Sequence, residues 1–129
     1  MLQIIIAGSR DFHDYAFVER VLMTYLGRFI GKVEILIITG GARGVDALVA
    51  RFARAHNLQL KVVPADWDAY GPSAGPRRNE QMARMAGFLI AFWDGKSRGT
   101  RNMIQTAYRF GLRVKVVYIH TTDGLQDVR

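Results

Sequence analysis

Short apolar runs alternate with amphipathic stretches along almost the whole chain. The apolar runs predict five β-strands, over residues 3–7, 34–39, 59–64, 88–93 and 113–120. Between the strands, apolar residues recur at helical spacing, which predicts helices over residues 14–29, 44–56, 77–86 and 98–110. Asp14 is a predicted N-cap, and Asn57 and Gly111 are predicted C-caps. The pattern therefore indicates an α/β protein.

Strands separated by helices are typical of βαβ units and of a parallel sheet. The strands are apolar throughout, which fits burial on both faces between layers of helices. We therefore predict a Rossmann-like three-layer sandwich with a mainly parallel five-stranded sheet of order 3-2-1-4-5. Residues 1–120 are predicted to form one domain, followed by a polar tail over residues 121–129. The segment 65–76, with two prolines and two glycines, is predicted to be a long irregular loop.

Three of the apolar runs lead directly into turns that contain glycine and arginine. The carboxyl ends of parallel strands lie at one edge of a sheet, so we expect these turns to converge on a crevice between strands one and four. Glycine turns and helix N-termini present N–H groups that suit an anion such as phosphate. The turns supply the predicted ligand-binding residues Gly8, Ser9, Arg10, Gly40, Gly41, Ala42, Arg43, Gly44, Gly95, Gly99 and Thr100.

The net charge of +7 favours acidic partners, either nucleic acid or a phosphorylated small molecule. The basic residues are scattered, so charge alone does not favour nucleic acid.

No apolar run approaches the roughly 20 residues of a membrane span, and the chain starts directly with a strand, so neither membrane insertion nor a signal peptide is expected. The absence of cysteine excludes disulfides and fits a cytoplasmic location. His13, His56 and His120 show no ligand spacing, so no metal and no cofactor are predicted.

Several motifs occur in the order found in a known superfamily. They are Gly8-Ser9-Arg10, the segment 40–46 (GGARGVD), the segment 75–79 (GPRRN) followed by Met82, and Asp94-Gly95 followed by Gly99-Thr100. On these motifs the chain resembles the SLOG superfamily of Rossmann-like nucleotide-ligand-binding domains, in particular its small stand-alone YspA-like, cpYpsA-related members. The resemblance implies a ligand built from a nucleotide or a ribose phosphate. It also implies a homodimer, because relatives often pair through helices that flank the sheet.

Two further branches of the superfamily imply different functions. The chain is similar to the lonely-guy phosphoribohydrolases, which release a base from a nucleoside monophosphate, because Arg78 stands four residues before Met82. That family has a glutamate three residues after its Gly-Thr, and the residue here is Met103. A thioether cannot polarise a ribose hydroxyl as a carboxylate can, which argues against the same hydrolysis. The segment 41–47 is similar to the signature loop of DNA-processing protein A, which binds single strands.

Arginine is predicted to neutralise the phosphate charge, through Arg10, Arg43 and Arg78, because arginine pairs bidentately with phosphate. Asp46 is either an acidic residue that interacts favourably with the helix dipole in the first turn, or a hydrogen-bond partner for a ribose hydroxyl. Asn79 matches the family motif and either contacts the ligand or fixes a loop. A hydrolase would need an acid, and the candidates are Asp46, Asp94 and Glu80, although a surface salt bridge also explains Glu80.

Aromatic residues near the same edge are candidates for base stacking. Trp67 and Tyr70, in the predicted loop, are expected to stack on a base, whereas Trp93 is expected to lie in the core. The leading hypothesis is a protein that binds a nucleotide-derived ligand as a sensor, a sequestering protein or a processing domain. The alternatives are a nucleotide N-glycosidic hydrolase and a protein that binds single-stranded DNA.

Overall fold

A computed structural model describes residues 1–120. These residues form the strands β1 (Leu2–Gly8), β2 (Ile35–Thr39), β3 (Gln59–Val62), β4 (Phe88–Trp93) and β5 (Arg113–Tyr118). They also form the helices α1 (Tyr15–Leu26), α2 (Val45–Ala55), α3 (Trp67–Tyr70), α4 (Ala74–Ala83) and α5 (Arg98–Arg109), with a 3-10 turn over Gly71–Ser73. The polar tail predicted over residues 121–129 lies outside the described residues.

The strands form one sheet in which every neighbouring pair is parallel, in the order β3-β2-β1-β4-β5. The predicted Rossmann-like α/β fold and strand order are therefore confirmed. The central strand β1 pairs on one side with β2, where Ile4 lies opposite Ile37, and on the other with β4, where Ile4 lies opposite Phe88. The strand order reverses between β1 and β4, and in such sheets a crevice opens at the carboxyl ends of the strands at that point.

Alternate residues of each strand face two separate apolar cores. Ile4 and Ile6 of β1 belong to the core that the sheet shares with α1 and α2. Ile5 belongs to the opposite core, together with Met82 of α4 and Met103 of α5. Because successive side chains of a strand point to opposite faces, a continuous apolar run contributes to both layers. The result is the three-layer arrangement expected from the sequence.

The helix ends follow the side chains that the sequence supplies. The carboxylate of Asp14 accepts the N–H of Phe17 at 3.1 Å, so Asp14 is the N-cap of α1 as predicted. Asn57, at a φ of 55°, follows α2 in the left-handed conformation, and the next N–H, from Leu58, donates to the carbonyl of Ala53 at 2.8 Å. Gly111 ends α5 in the same way at a φ of 80°.

The prediction of an irregular loop over residues 65–76 was wrong for most of the segment. Residues 67–70 form α3, because the Asp66 carboxylate caps the N–H of Ala69 at 3.0 Å. The helix predicted to begin at residue 77 begins at Ala74. Pro76 therefore lies in the first turn of α4, where N–H groups have no partner within the helix and proline is tolerated.

Candidate functional site

The carboxyl ends of the first four strands open on one cleft with a volume of about 890 Å³. The cleft follows the sheet edge from Pro64 after β3 to Thr100 at the start of α5, a span of about 14 Å at the usual spacing of strands. Most of the predicted site residues line it, namely Gly8, Ser9, Arg10, Gly40, Gly41, Ala42, Asp46, Arg78, Asn79, Asp94, Gly99 and Thr100. The fold therefore brings the separate motifs to one place.

Three predicted residues do not line the cleft. The Arg43 side chain is 70% exposed, and its guanidinium contacts the carboxylate of Asp11 at 3.4 Å. Gly44 is the N-cap of α2, and a Cβ there would lie 2.5 Å from the backbone of Arg10. Gly95 has a φ of 81° and open space around it. Gly44 and Gly95 therefore serve the conformation of their turns, and Arg43 is an exposed residue paired with Asp11, which does line the cleft.

Ser9 joins the end of β1 to its neighbours. Its N–H donates to the carbonyl of Phe92 at 3.2 Å, and its carbonyl accepts the first N–H of α2, from Val45, at 3.0 Å. Its hydroxyl oxygen accepts the N–H of Asp11 at 3.2 Å, which leaves the hydroxyl proton available as a donor. Gly8 makes this packing possible, since a Cβ there would lie 2.6 Å from the carbonyl oxygen of Phe92.

Arg78 is held flat over Gly40 at the floor of the cleft. Its Nη1 donates to the carbonyl oxygens of Gly40 at 2.9 Å and Val63 at 3.3 Å, and its Nε donates to Oδ1 of Asn79 at 3.1 Å. A Cβ on Gly40 would overlap the guanidinium. Gly40, predicted from the sequence as part of a phosphate-binding turn, also makes room for this arginine. The charge of Arg78 is therefore fixed in position before any ligand binds.

Asn79 connects α4 to the start of α5. It is buried, and its Nδ2 donates to Oδ1 of Asn102 at 2.9 Å and to the carbonyl of Gly99 at 3.4 Å. Since its Oδ1 accepts from Arg78, both ends of the amide have protein partners. Of the two roles considered for Asn79, these bonds favour that of fixing the site.

Asp46 is a buried carboxyl group in the wall of the cleft. Its Oδ2 accepts the N–H of Ala42 at 3.0 Å, so that N–H is not free for a ligand. Its Oδ1 and the hydroxyl of Thr39 are both buried without a hydrogen-bond partner among the described residues. Burial raises the pKa of Asp46, although the Ala42 N–H and the charge of Arg78 oppose the rise.

Substitution Asp46→Asn is expected to increase stability relative to wild type more at pH 7 than at pH 4. The folded state of the wild type holds the Asp46 proton more tightly than the unfolded state, whose pKa is about 3.9. Wild-type stability should therefore fall as pH rises from that value through the raised pKa. Asparagine has no such titration and keeps an oxygen for Ala42. Urea unfolding of both proteins at the two pH values measures the difference, and an equal difference at both would contradict the raised pKa.

The pKa of Asp94 is shifted in the opposite direction to that of Asp46. Partial burial raises its pKa, but hydrogen bonds from Ser97 and Lys96 outweigh this effect, and the pKa lies below the usual value. Oδ1 accepts the N–H groups of Lys96 at 2.8 Å and Ser97 at 2.7 Å and the Ser97 hydroxyl at 2.9 Å. Asp94 therefore stays ionised and shapes the turn before α5. Glu80, the third candidate acid, pairs with Arg109 at 3.0 Å and does not line the cleft.

The cleft also has an apolar wall whose residues were not among the predicted ligand-binding residues. It is formed by Pro64, Ala65, Trp67, Pro72, Pro76, Met82 and Met103. Of these residues, the sequence indicates only Trp67 for stacking on a base. Trp93 is half-buried against the α4 and α5 core and donates its Nε1–H to the carbonyl of Ser97 at 3.1 Å, in agreement with the prediction. Lys96, Ser97 and Arg98 also line the cleft; they belong to a turn predicted to meet the crevice but were not among the predicted ligand-binding residues.

The chain is similar to known proteins in sequence. A family model described as the YspA, cpYpsA-related SLOG family matches residues 2–70. The chain is 33% identical over 120 residues to the Gene 61 protein of Mycobacterium phage D29, across 88% of this chain and 94% of that protein.

Two solved structures have a similar fold. The X-ray structure of TM1055 matches with a TM-score of 0.66 at 22% identity, over 88% of this chain and 72% of that one. DNA processing protein A (DprA) from Streptococcus pneumoniae matches with a TM-score of 0.72 at 20% identity, over 98% of this chain and 54% of that one. At such identities the likeness establishes the fold alone. The family model and the phage relative go further: this chain belongs to the YspA, cpYpsA-related SLOG family.

Proposed function

We propose that the protein binds a nucleotide or a nucleotide-derived phosphorylated ligand in the cleft, as a sensor, a sequestering protein or a processing domain. The observation that carries the proposal is the division of the cleft into two chemically different ends. Arg10, Lys96, Arg98 and a helix N-terminus lie towards the β4 end, and Trp67 with prolines lies at the β3 end. Arg78 stands between them, on the carbonyls of Gly40 and Val63. A nucleotide has the same division, with a charged phosphate at one end and a flat base at the other.

The phosphate end is built around the start of α5. This helix of 12 residues begins beside Gly99 and Thr100, both in the cleft lining, and its unpaired N–H groups favour an anion. Arg98 and Lys96 lie next to it, and Arg10 comes from the turn after β1. The ionised Asp94 also lines this end, and its Oδ1 is occupied by hydrogen bonds of its own turn.

The base end is apolar and flat. Trp67 is 57% exposed, and one edge of its indole contacts α4 where Gly75 has no side chain: a Cβ there would lie 3.2 Å from Cη2. Aromatic rings stabilise bound bases by stacking, with little dependence on base identity. Proline side chains of Pro64 and Pro72 continue the same surface. Such a wall suits a purine or pyrimidine ring better than an inorganic ion.

Isothermal titration calorimetry with AMP, GMP, CMP and UMP tests the proposal directly. Saturable binding of a monophosphate, weakened when the phosphate is removed to give the nucleoside, is the expected result. Inorganic phosphate alone should bind more weakly, because it leaves the apolar wall empty. Equal affinities for nucleosides and nucleotides would contradict a phosphate site at α5.

Hydrolysis of the N-glycosidic bond is a second candidate function, favoured by a single observation. Asp46 is a carboxyl group with a raised pKa in the wall of the cleft, which suits a general acid. Against it, Met103 occupies the position of the phosphoribohydrolase glutamate and is buried in the cleft floor. Chromatography of nucleoside monophosphates after incubation with the protein decides between binding and hydrolysis, since only hydrolysis yields free base. Asp46→Asn should abolish any release.

Binding of single-stranded DNA is a third candidate function, and the structural likeness to DNA processing protein A motivates it. It predicts that affinity increases with strand length and falls steeply with salt, because several phosphates release counterions. A site for a small ligand shows a weak salt dependence and no dependence on length. Titrations with oligonucleotides of increasing length at two salt concentrations separate the two.

Substitution Gly99→Ala is expected to raise stability slightly while weakening nucleotide binding. Gly99 lies in the first turn of α5 with no atom within 4 Å of an added Cβ, and alanine is favoured over glycine in a helix by about 0.5 kcal/mol. The methyl group would enter the cleft where we place the phosphate, and we expect about ten-fold weaker AMP binding. Thermal unfolding and calorimetry measure the two effects. Gly87→Ala, also in open space but outside the cleft lining, is the control.

A homodimer and a cytoplasmic location remain proposals. Within residues 1–120 there is no helix with both the length and the apolar character needed to cross a bilayer. The family resemblance motivates the dimer, through helices that flank the sheet. Sedimentation velocity at several protein concentrations measures the oligomeric state, and a monomer at all of them would contradict the dimer.

A further inference from the structure

Helix α3 presents two aromatic side chains to solvent. The Trp67 residue is 57% exposed and Tyr70 is 50% exposed. Residues three apart lie next to each other on one side of a helix, with Cβ atoms roughly 5–6 Å apart. Trp67 lines the cleft, whereas Tyr70 lies just outside its lining. Large exposed aromatic groups at the mouth of a cleft are typical of binding surfaces.

Tyr70 is part of a fixed stack with Arg77. The guanidinium carbon of Arg77 lies 4.4 Å from the centre of the Tyr70 ring. The Arg77 Nε donates to the hydroxyl oxygen of Ser73 at 3.2 Å, and that hydroxyl donates to the carbonyl of Tyr70 at 2.9 Å. The two bonds hold the arginine over the ring while half of the Tyr70 surface stays open. We call Tyr70 and Arg77 the outer platform.

We infer that the ligand carries two consecutive nucleotides, with the first base on Trp67 inside the cleft and the second on the outer platform. The inference rests on the proposed function and extends it. Aromatic side chains and planar arginines are the usual surfaces for successive bases of single strands, and Arg77 also supplies a charge for the phosphate that joins the two nucleotides. A mononucleotide fills the cleft and leaves the outer platform empty. A dinucleotide and the 5′ end of a single strand have the chemistry that fills both.

Calorimetry with AMP and with the 5′-phosphorylated dinucleotide pApA tests the inference. Wild-type protein should bind pApA at least about five-fold more tightly than AMP, the gain expected for one additional stacked base. Tyr70→Ala should remove this gain and leave AMP affinity unchanged, and unchanged AMP affinity also shows that the variant is folded. Tyr70→Phe should retain the gain, because the ring is kept. Tyr108→Ala removes another exposed tyrosine, on α5 and outside the cleft lining, and should behave as wild type.

The outcomes separate the inference from the proposed function. Equal affinity of the wild type for AMP and pApA would contradict a second stacked base and leave the proposed function intact. A gain that persists in Tyr70→Ala also overturns the inference, because the second base then lies elsewhere. Absence of binding to either compound contradicts the proposed function itself. A 5′-phosphorylated ten-nucleotide strand decides the source: tighter binding than pApA identifies a single strand, and equal binding identifies a dinucleotide.

Discussion

Arg78→Ala is expected to weaken AMP binding by about 100-fold, because hydrogen bonds to charged groups contribute about 1.5–3 kcal/mol. The carbonyl oxygens of Gly40 and Val63 hold the guanidinium in place, so little conformational entropy is lost when a phosphate or ribose oxygen meets it. The substitution also leaves the buried carboxyl of Asp46 without its nearest positive charge. Calorimetry with AMP measures the loss.

Lysine cannot replace this arginine. Its ammonium group lacks the planar fork that reaches the carbonyl oxygens and Asn79 together, so Arg78→Lys should lose most of the affinity as well. Arg84→Ala, an exposed residue at the end of the same helix that pairs with Glu80, is the matched control and should bind AMP as wild type does. If Arg78→Ala binds AMP normally, the guanidinium supports the fold of the cleft and does not contact the ligand.

Gly44→Ala is expected to destabilise the protein by about 3 kcal/mol or more, from backbone strain and steric overlap together. Gly44 has a φ of 74° and a ψ of −128°, a backbone conformation that residues with a side chain rarely adopt. A Cβ there would also lie 2.5 Å from backbone atoms of Arg10, where the turn after β1 packs against α2. Thermal unfolding should show a decrease in Tm of about 10 °C or more for a chain of this size.

Gly95→Ala separates the two causes of this loss. Gly95 has a similar φ of 81°, but no atom lies within 4 Å of an added Cβ. This variant should therefore lose only the cost of the backbone conformation, about 1 kcal/mol. Equal losses in the two variants would show that the contact between Gly44 and Arg10 contributes nothing.

The sheet was predictable because its signal is local and repeated. Each apolar run is long enough to be a strand, and the helices between the strands require parallel neighbours. Asp14 begins α1 because its side chain caps the helix, and Asn57 and Gly111 end helices because they adopt positive φ angles. The segment 65–76 was misjudged because prolines and glycines were taken as loop signals. A single capping residue, Asp66, and a proline in a first helical turn were sufficient to make most of it helical.

The individual roles within the site were less predictable than its place. The sequence indicated Arg43 and Arg78 equally, because Arg43 stands within a glycine turn and Arg78 at the start of a predicted helix. Only the folded chain shows that Arg43 is exposed and pairs with Asp11, a residue of the cleft lining, whereas Arg78 is held inside the cleft by the ends of two strands. The residues of these contacts lie 32, 38 and 15 positions apart, so no local pattern encodes them.

By itself the sequence determined the strand order, the edge of the sheet at which the glycine turns meet and the family to which their spacing belongs. These depend on periodicity and backbone conformation, which neighbouring residues specify. Tertiary structure alone decided that Gly40 makes room for Arg78, that Asp46 is buried beside it and that Met82 and Met103 join Trp67 in the apolar wall of the cleft. Burial, pKa and the direction of a charged side chain depend on distant segments packed together, and a linear pattern does not contain those distances.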